Sequence, residues 1–129
     1  MLEWAIDGIW GYSVSDVLLY LLVVTHVTIV SVTVYLHRFS AHRSIILGPA
    51  ISHFFRFWLW LTTGQVTREW TAVHRKHHAE CETLDDPHSP VKQGLPRILL
   101  NGVEVYKSAI SDKEMLSRYG KGCPDDWLE

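Results

Sequence analysis

Apolar positions fall in two blocks along the chain, and most of the polar chemistry lies just after each of them. The first block, residues 17–36, reads VLLYLLVVTHVTIVSVTVYL and carries no formal charge over twenty residues. Its Val, Ile and Thr would favour a strand in water, but an ordinary strand is much shorter. In lipid the backbone must satisfy its own hydrogen bonds, so the block predicts a transmembrane helix over 17–36. Twenty residues rising about 1.5 Å each match a hydrocarbon core of roughly 30 Å. The competing reading is a buried helix of a larger soluble protein. Trp4, Trp10 and Tyr12 precede the block as expected interfacial anchors.

The second block, residues 50–63 (AISHFFRFWLWLTT), has His53 and Arg56 inside it. Fourteen residues make roughly 21 Å of helix, too short to span, and five aromatic rings suit the headgroup boundary. The block predicts an interfacial or re-entrant helix, with a short tilted span as the alternative. Gly48-Pro49 opens it and Gly64 can end it. A further helix is predicted over 67–81, a proline turn over 85–90, one or two amphipathic helices within 94–117 on the membrane surface or over the site, and loop from 120 on. The fold class expected is an all-α membrane protein: one clear transmembrane helix, one interfacial or re-entrant helix, and cytoplasmic helices, in a single domain over 1–129.

Charge orients this arrangement. All twelve Lys and Arg lie after Leu36, while the first 36 residues carry only Glu3, Asp7 and Asp16. The positive-inside rule then puts the C-terminal end of the span in the cytoplasm of an inner or cell membrane. A net charge of −2 argues against nucleic acid as a partner. Cys81 and Cys123 form no metal or disulfide motif.

Eight histidines are the remaining departure, and their spacing matters more than their number. His37 and His42 form HxxxxH; His74, His77 and His78 form HxxHH. On a helix the second group spans an arc of roughly 100°, as a transition-metal site needs. The first pair would sit about 140° apart on a regular helix, so the helix must bend there or the metal must lie off its end. A non-crossing segment 50–63 leaves both groups on one membrane face. The HExxH zinc signature is absent because Arg75 and Lys76 stand between His74 and His77. An iron site for O2 chemistry fits these positions best. Of the other histidines, His26 reads as a neutral side chain packed within a bundle, His53 as an interfacial polar group, and His88 as a supporting or capping group. Cys81 reads as facing away from a metal. Arg38, Arg43, Arg75 and Lys76 can bind a phosphate-bearing substrate or lipid headgroups.

The stretches HRFSAHRS, EWTAVHRKHH and DDPHSP resemble the first two histidine boxes and following turn of the membrane fatty acid desaturases, in particular their acyl-CoA Δ9-like bacterial branch. The likeness runs from about Val17 to Pro90. It implies a centre of two iron ions with His37, His42, His74, His77 and His78 as ligands. Trp70 would line the acyl tunnel, with Arg38 and Arg43 toward the substrate. Glu69, Asp85, Asp86 and His88 would support the ligands. The substrate would be an acyl-lipid or acyl-CoA, and the oxidant O2. The electrons would come from a reduced carrier resembling ferredoxin, rubredoxin or cytochrome b5, with membrane lipids around the protein. Two departures matter. The family's third histidine box lies outside these 129 residues, so the chain is expected to be an incomplete desaturase domain, inactive alone. Ala72 and Val73 stand where the eukaryotic branch has charged CoA contacts. A small membrane metal-binding protein without oxidation chemistry and a related di-iron lipid hydroxylase are the alternatives.

Overall fold

A computed structural model describes residues 11–129. Trp4 and Trp10, expected as membrane anchors, lie outside the described residues, as do Glu3 and Asp7. The described elements are helical, and no strand occurs among the described residues.

Helix α1 (Val14–Ser31) begins three residues before the uncharged block, because Ser13 and Asp16 form a reciprocal cap. The Ser13 hydroxyl accepts from the Asp16 N–H at 3.2 Å, and the Asp16 carboxylate accepts from the Ser13 N–H at 3.0 Å. The helix continues without a break into a π-helical segment, Val32–Ala41, so the expected end at Leu36 is passed by five residues. Together the two form one helix of 28 residues, long and apolar enough to cross a membrane. Leu18, Leu19, Leu21 and Leu22 are exposed on it, as a lipid-facing surface requires.

Helix α2 (Pro49–Thr63) starts with Pro49 in its first turn and stops at Gly64, whose φ of +66° is the left-handed conformation that glycine adopts freely. It packs on α1, where the Trp58 Nε1–H donates to Thr28 Oγ1 at 3.0 Å. Its outer face leaves Ile51, Phe54, Phe57, Trp60 and Leu61 exposed. Leu59 turns inward and packs with Tyr35 and Leu36 of the π-segment, joined at the edges by Phe39, Phe55 and Trp70. Burying each of these aliphatic side chains contributes roughly 2 kcal/mol.

Helix α3 (Thr67–Ala79) is the central element. One side meets the π-segment through hydroxyl pairs: Ser40 Oγ to Thr71 Oγ1 at 2.7 Å and Tyr35 OH to Thr67 Oγ1 at 3.5 Å. The other side buries Ala72 and Val73 against Met115, with Tyr106, Ala109 and Ile110 around them. These come from α5 (Leu95–Ile110), which is kinked at Asn101, and α6 (Lys113–Tyr119); a single turn, α4 (Pro90–Gln93), precedes α5. Leu99, Leu100 and Val103 stay exposed on α5.

The segment from Gly120, expected as loop, folds back as a strap. The buried Arg56 guanidinium bonds both carboxylate oxygens of Asp126, at 2.9 and 2.6 Å, and Glu129 Oε1 at 2.9 Å. The other Glu129 oxygen accepts from the Arg68 N–H at 3.1 Å. Leu128 is buried beside them.

Candidate metal centre

The five-residue spacing of His37 and His42 finds its physical reason in the π-segment. A π-helix bonds each N–H to the carbonyl five residues back. The His42 N–H indeed donates to the His37 carbonyl at 3.0 Å. The two rings, which a regular α-helix would splay apart, therefore come within 4.5 Å of each other, centroid to centroid. Arg43 then takes a positive φ of 50° and ends the helix, with the Ser44 N–H reaching back to the Arg38 carbonyl at 2.9 Å.

Helix α3 supplies the facing pair. His74 and His78 are one turn apart, so they share a face. His74 Nε2 lies 3.1 Å from His78 Nε2 and 3.4 Å from His42 Nε2. The rings of His42 and His78 are 4.6 Å apart, those of His37 and His74 4.8 Å. One ligand atom from each of His37, His42, His74 and His78 fits within 4.8 Å of all the others. Trp70, one turn before His74, stacks on its ring at 4.6 Å and 17°. His42 and His78 are exposed, so the cluster is open on one side.

Two imidazoles of the cluster, His74 and His42, are pushed toward the neutral form. Burial first, then the neighbouring His78, His37, His42 and His77, holds His74 down to about 4. Burial and the same kind of crowding lower His42. Unprotonated nitrogens converging on one point are what a transition-metal ion requires. The donor set therefore fits one such ion.

His77 points to a different partner. Its Nδ1 lies 2.8 Å from Oδ1 of Asp86, which is fully buried. The same oxygen accepts the His88 N–H at 2.9 Å, and Oδ2 accepts the Glu82 N–H at 2.9 Å. Burial pushes the Asp86 carboxyl up, but these bonds outweigh it and hold it below the ordinary range. An ionised carboxylate only accepts, so Nδ1 of His77 is the donor in this bond, and Nε2 is the ring nitrogen left for another partner. Cys81 stands within ligand range of His77 and Asp86, so it does not face away from this side of α3.

The other expected site residues are distributed unevenly. His88 is half-buried with its ring 6.0 Å from that of His77. Asp85 is exposed and bonded only locally, its N–H to Thr83 Oγ1. Glu69 sits away from the histidines, where burial and Glu129 push its carboxyl up. Alternate faces of α3 explain this, since a residue five positions before His74 points across the helix. Arg38 is exposed, and Arg43 donates to the Lys121 carbonyl at 3.3 Å. Arg75 is not free for an anion: it donates to four main-chain carbonyls. His26 is exposed on α1 among the described residues, not packed within a bundle; the helices following α1 meet its other faces. His53 lies 6.5 Å from Trp127, ring to ring. Sequence reasoning passed over Arg56 and the hydroxyl pairs, whose partners are distant in the chain. The π-segment did leave a signal, the spacing of five.

Among the described residues, fold and cluster together define an all-helical arrangement with one helix long and apolar enough to cross a membrane and, at its end, a four-histidine group that could hold a metal ion. Comparison with known proteins gives three partial matches. The chain is 32% identical over 87 residues to a hex-5-enoyl-acyl-carrier-protein acetylenase of Moorena producens (strain JHB), covering 67% of this chain and 27% of that protein. It is 36% identical over 63 residues to an Arabidopsis thaliana chloroplastic protein named "probable lipid desaturase", covering 49% of this chain and 18% of the relative. It is 36% identical over 59 residues to the Arabidopsis thaliana delta-9 acyl-lipid desaturase 1, covering 46% and 19%. The aligned stretches thus take up about a quarter or less of these relatives. No family model matches the chain, and no solved structure matches it. The three partial matches support a relation to the fatty acid desaturases and a desaturase-like function, without singling out the acyl-CoA Δ9 branch.

Proposed function

We propose that these residues form the first part of an O2-dependent membrane fatty acyl desaturase that introduces a cis double bond into an acyl chain. The observation that carries this reading is the convergence of His37, His42, His74 and His78 at the end of a membrane-crossing helix. These four would hold one iron, and His77, oriented by Asp86, would contribute to a second. Bound iron would supply the oxidising chemistry that an unactivated C–H bond demands. In balance, two hydrogens leave adjacent methylenes, two electrons and two protons enter from a reduced carrier and solvent, and O2 leaves as two waters.

The chain's own side chains have defined tasks in this scheme. Trp70 fixes the plane of His74 and gives the site a dry wall. The exposed aromatic face of α2 offers an apolar surface along which an acyl chain can approach. Arg38, exposed one residue after His37, and Arg43 would meet an anionic carrier or headgroup, an acyl-lipid or acyl-CoA. The basic residues confined to the sequence after Leu36 favour a cytoplasmic site, within reach of a ferredoxin-, rubredoxin- or cytochrome b5-like donor. Four imidazoles would serve one iron and only His77 the second, so turnover by these 129 residues alone is not expected. α2 would lie at the interface, and residues 1–129 would form one incomplete desaturase domain.

A non-catalytic metal-binding role is the second reading, favoured by the self-sufficiency of four imidazoles for a single ion. Metal analysis of the chain purified from iron- and zinc-replete cells separates the two. Iron at one or more equivalents supports the desaturase reading, and zinc alone sinks it. In a host supplying the remaining ligands, alkene rather than alcohol in the lipid profile distinguishes desaturation from hydroxylation.

A further inference from the structure

Arg75 stands between His74 and His77 in sequence, yet its guanidinium reaches away from both. Nη2 donates to the Ser40 carbonyl at 2.7 Å and Nε to the Ala41 carbonyl at 3.2 Å. Nη1 donates to the carbonyls of Tyr119 and Lys121, both at 2.9 Å. Ser40 and Ala41 close the π-segment immediately before His42. The last carbonyls of a helix have no partner within it, and a cation there also complements the helix dipole. Tyr119 and Lys121 belong to the end of α6 and the turn after it. One side chain rooted on α3 thus joins the end of the first histidine stretch, the helix carrying the second, and the terminal strap.

His42 itself is exposed, and its N–H bonds to His37. Apart from the ring contacts of His42 with His74 and His78, the Ser40–Thr71 hydroxyl pair is the other side-chain tie described between this turn and α3. A lysine, with a compact ammonium, cannot reproduce a planar fork that serves four carbonyls at once.

We propose that Arg75 is a positioning residue of the metal centre, holding the turn that bears His42 against α3 so that His37 and His42 face His74 and His78. This rests on the reading of the four imidazoles as metal ligands. The test uses the full 129-residue chain in lipid nanodiscs, titrated with Co(II) and followed by its visible absorption. Amide hydrogen exchange at residues 40–44 is measured without metal. Arg75→Lys is the principal variant and Arg75→Met the harsher one. Arg56→Gln is the control: it removes a guanidinium with as many bonds, but one that touches no histidine.

Loss of a group that orients ligands costs about 10–100-fold in metal affinity. Arg75→Lys should weaken Co(II) binding by that factor, alter the Co(II) spectrum and speed exchange at His42 and Ser44. Arg56→Gln should lower the thermal midpoint while leaving Co(II) affinity and spectrum unchanged. Unchanged exchange at His42 and Ser44 in Arg75→Lys, or faster exchange with unchanged Co(II) binding, overturns the assignment of Arg75. Absence of Co(II) uptake by the unmodified chain overturns the metal-centre reading instead. The two failures are separable because exchange needs no metal.

Discussion

Replacing Asp86 probes the support of His77. The carboxylate is fully buried and accepts from His77 Nδ1–H, the His88 N–H and the Glu82 N–H, all within 2.9 Å. Asp86→Ala strands all three donors. A buried donor left without a partner costs about 1–3 kcal/mol. The His77 ring is half-exposed, so water recovers part of that, and a total of about 3 kcal/mol is expected. Asp86→Asn keeps the shape and the Oδ1 acceptor but turns an amide NH2 toward the Glu82 N–H, donor against donor, for about 1–2 kcal/mol. At roughly 4 °C per kcal/mol for a chain of this size, thermal midpoints should fall by about 12 °C and about 6 °C. The assay is thermal unfolding in nanodiscs followed by far-ultraviolet circular dichroism, with Leu84→Ala, an exposed neighbour in the same loop, as control. Equal midpoints for Asp86→Ala and the unmodified chain would refute the argument that this carboxylate organises the loop after α3.

Other outcomes follow from the same structure. Leu59→Ala, in the contact between α2 and the π-segment, should destabilise by about 2–4 kcal/mol, measured by chemical denaturation in the same nanodiscs. His42→Ala and His74→Ala should each weaken Co(II) binding by more than about tenfold. His53→Ala should leave it unchanged, as read by isothermal titration. The Arg56 bonds first, then the Leu128 N–H, hold the Asp126 carboxyl below its ordinary range. A depressed carboxyl stabilises the fold above the unfolded-state pKa, and that contribution disappears as pH falls through the folded one. The midpoint difference between the unmodified chain and Arg56→Gln should therefore shrink below about pH 4. A difference constant across that range would remove the strap's ion pair from the account.

The periodicities of the chain carried far. The uncharged block announced a helix long and apolar enough to cross a membrane, because composition and length are properties of the segment itself. Gly48-Pro49 and Gly64 bracketed α2 within one residue, because these residues act through local backbone restriction. The spacing in HxxHH put His74 and His78 on one face, since i and i+4 coincide on any α-helix. The start of α1 was missed by three residues, because a cap depends on polar side chains outside the apolar pattern.

What the sequence could not decide were the contacts between segments far apart in the chain. Residue types and spacings determined which nitrogens are available and which elements carry them. Only the tertiary structure decided that His77 turns to Asp86 while its neighbours turn to His37 and His42. It also decided that Glu69 faces elsewhere and that Arg75 is committed to main-chain carbonyls more than thirty residues away. The physical reason is that helix periodicity fixes directions within one element, whereas the partner met in a given direction depends on how the other helices pack. A π-turn, a strap and a buried guanidinium set that packing here, and each draws on groups that no local window of sequence contains.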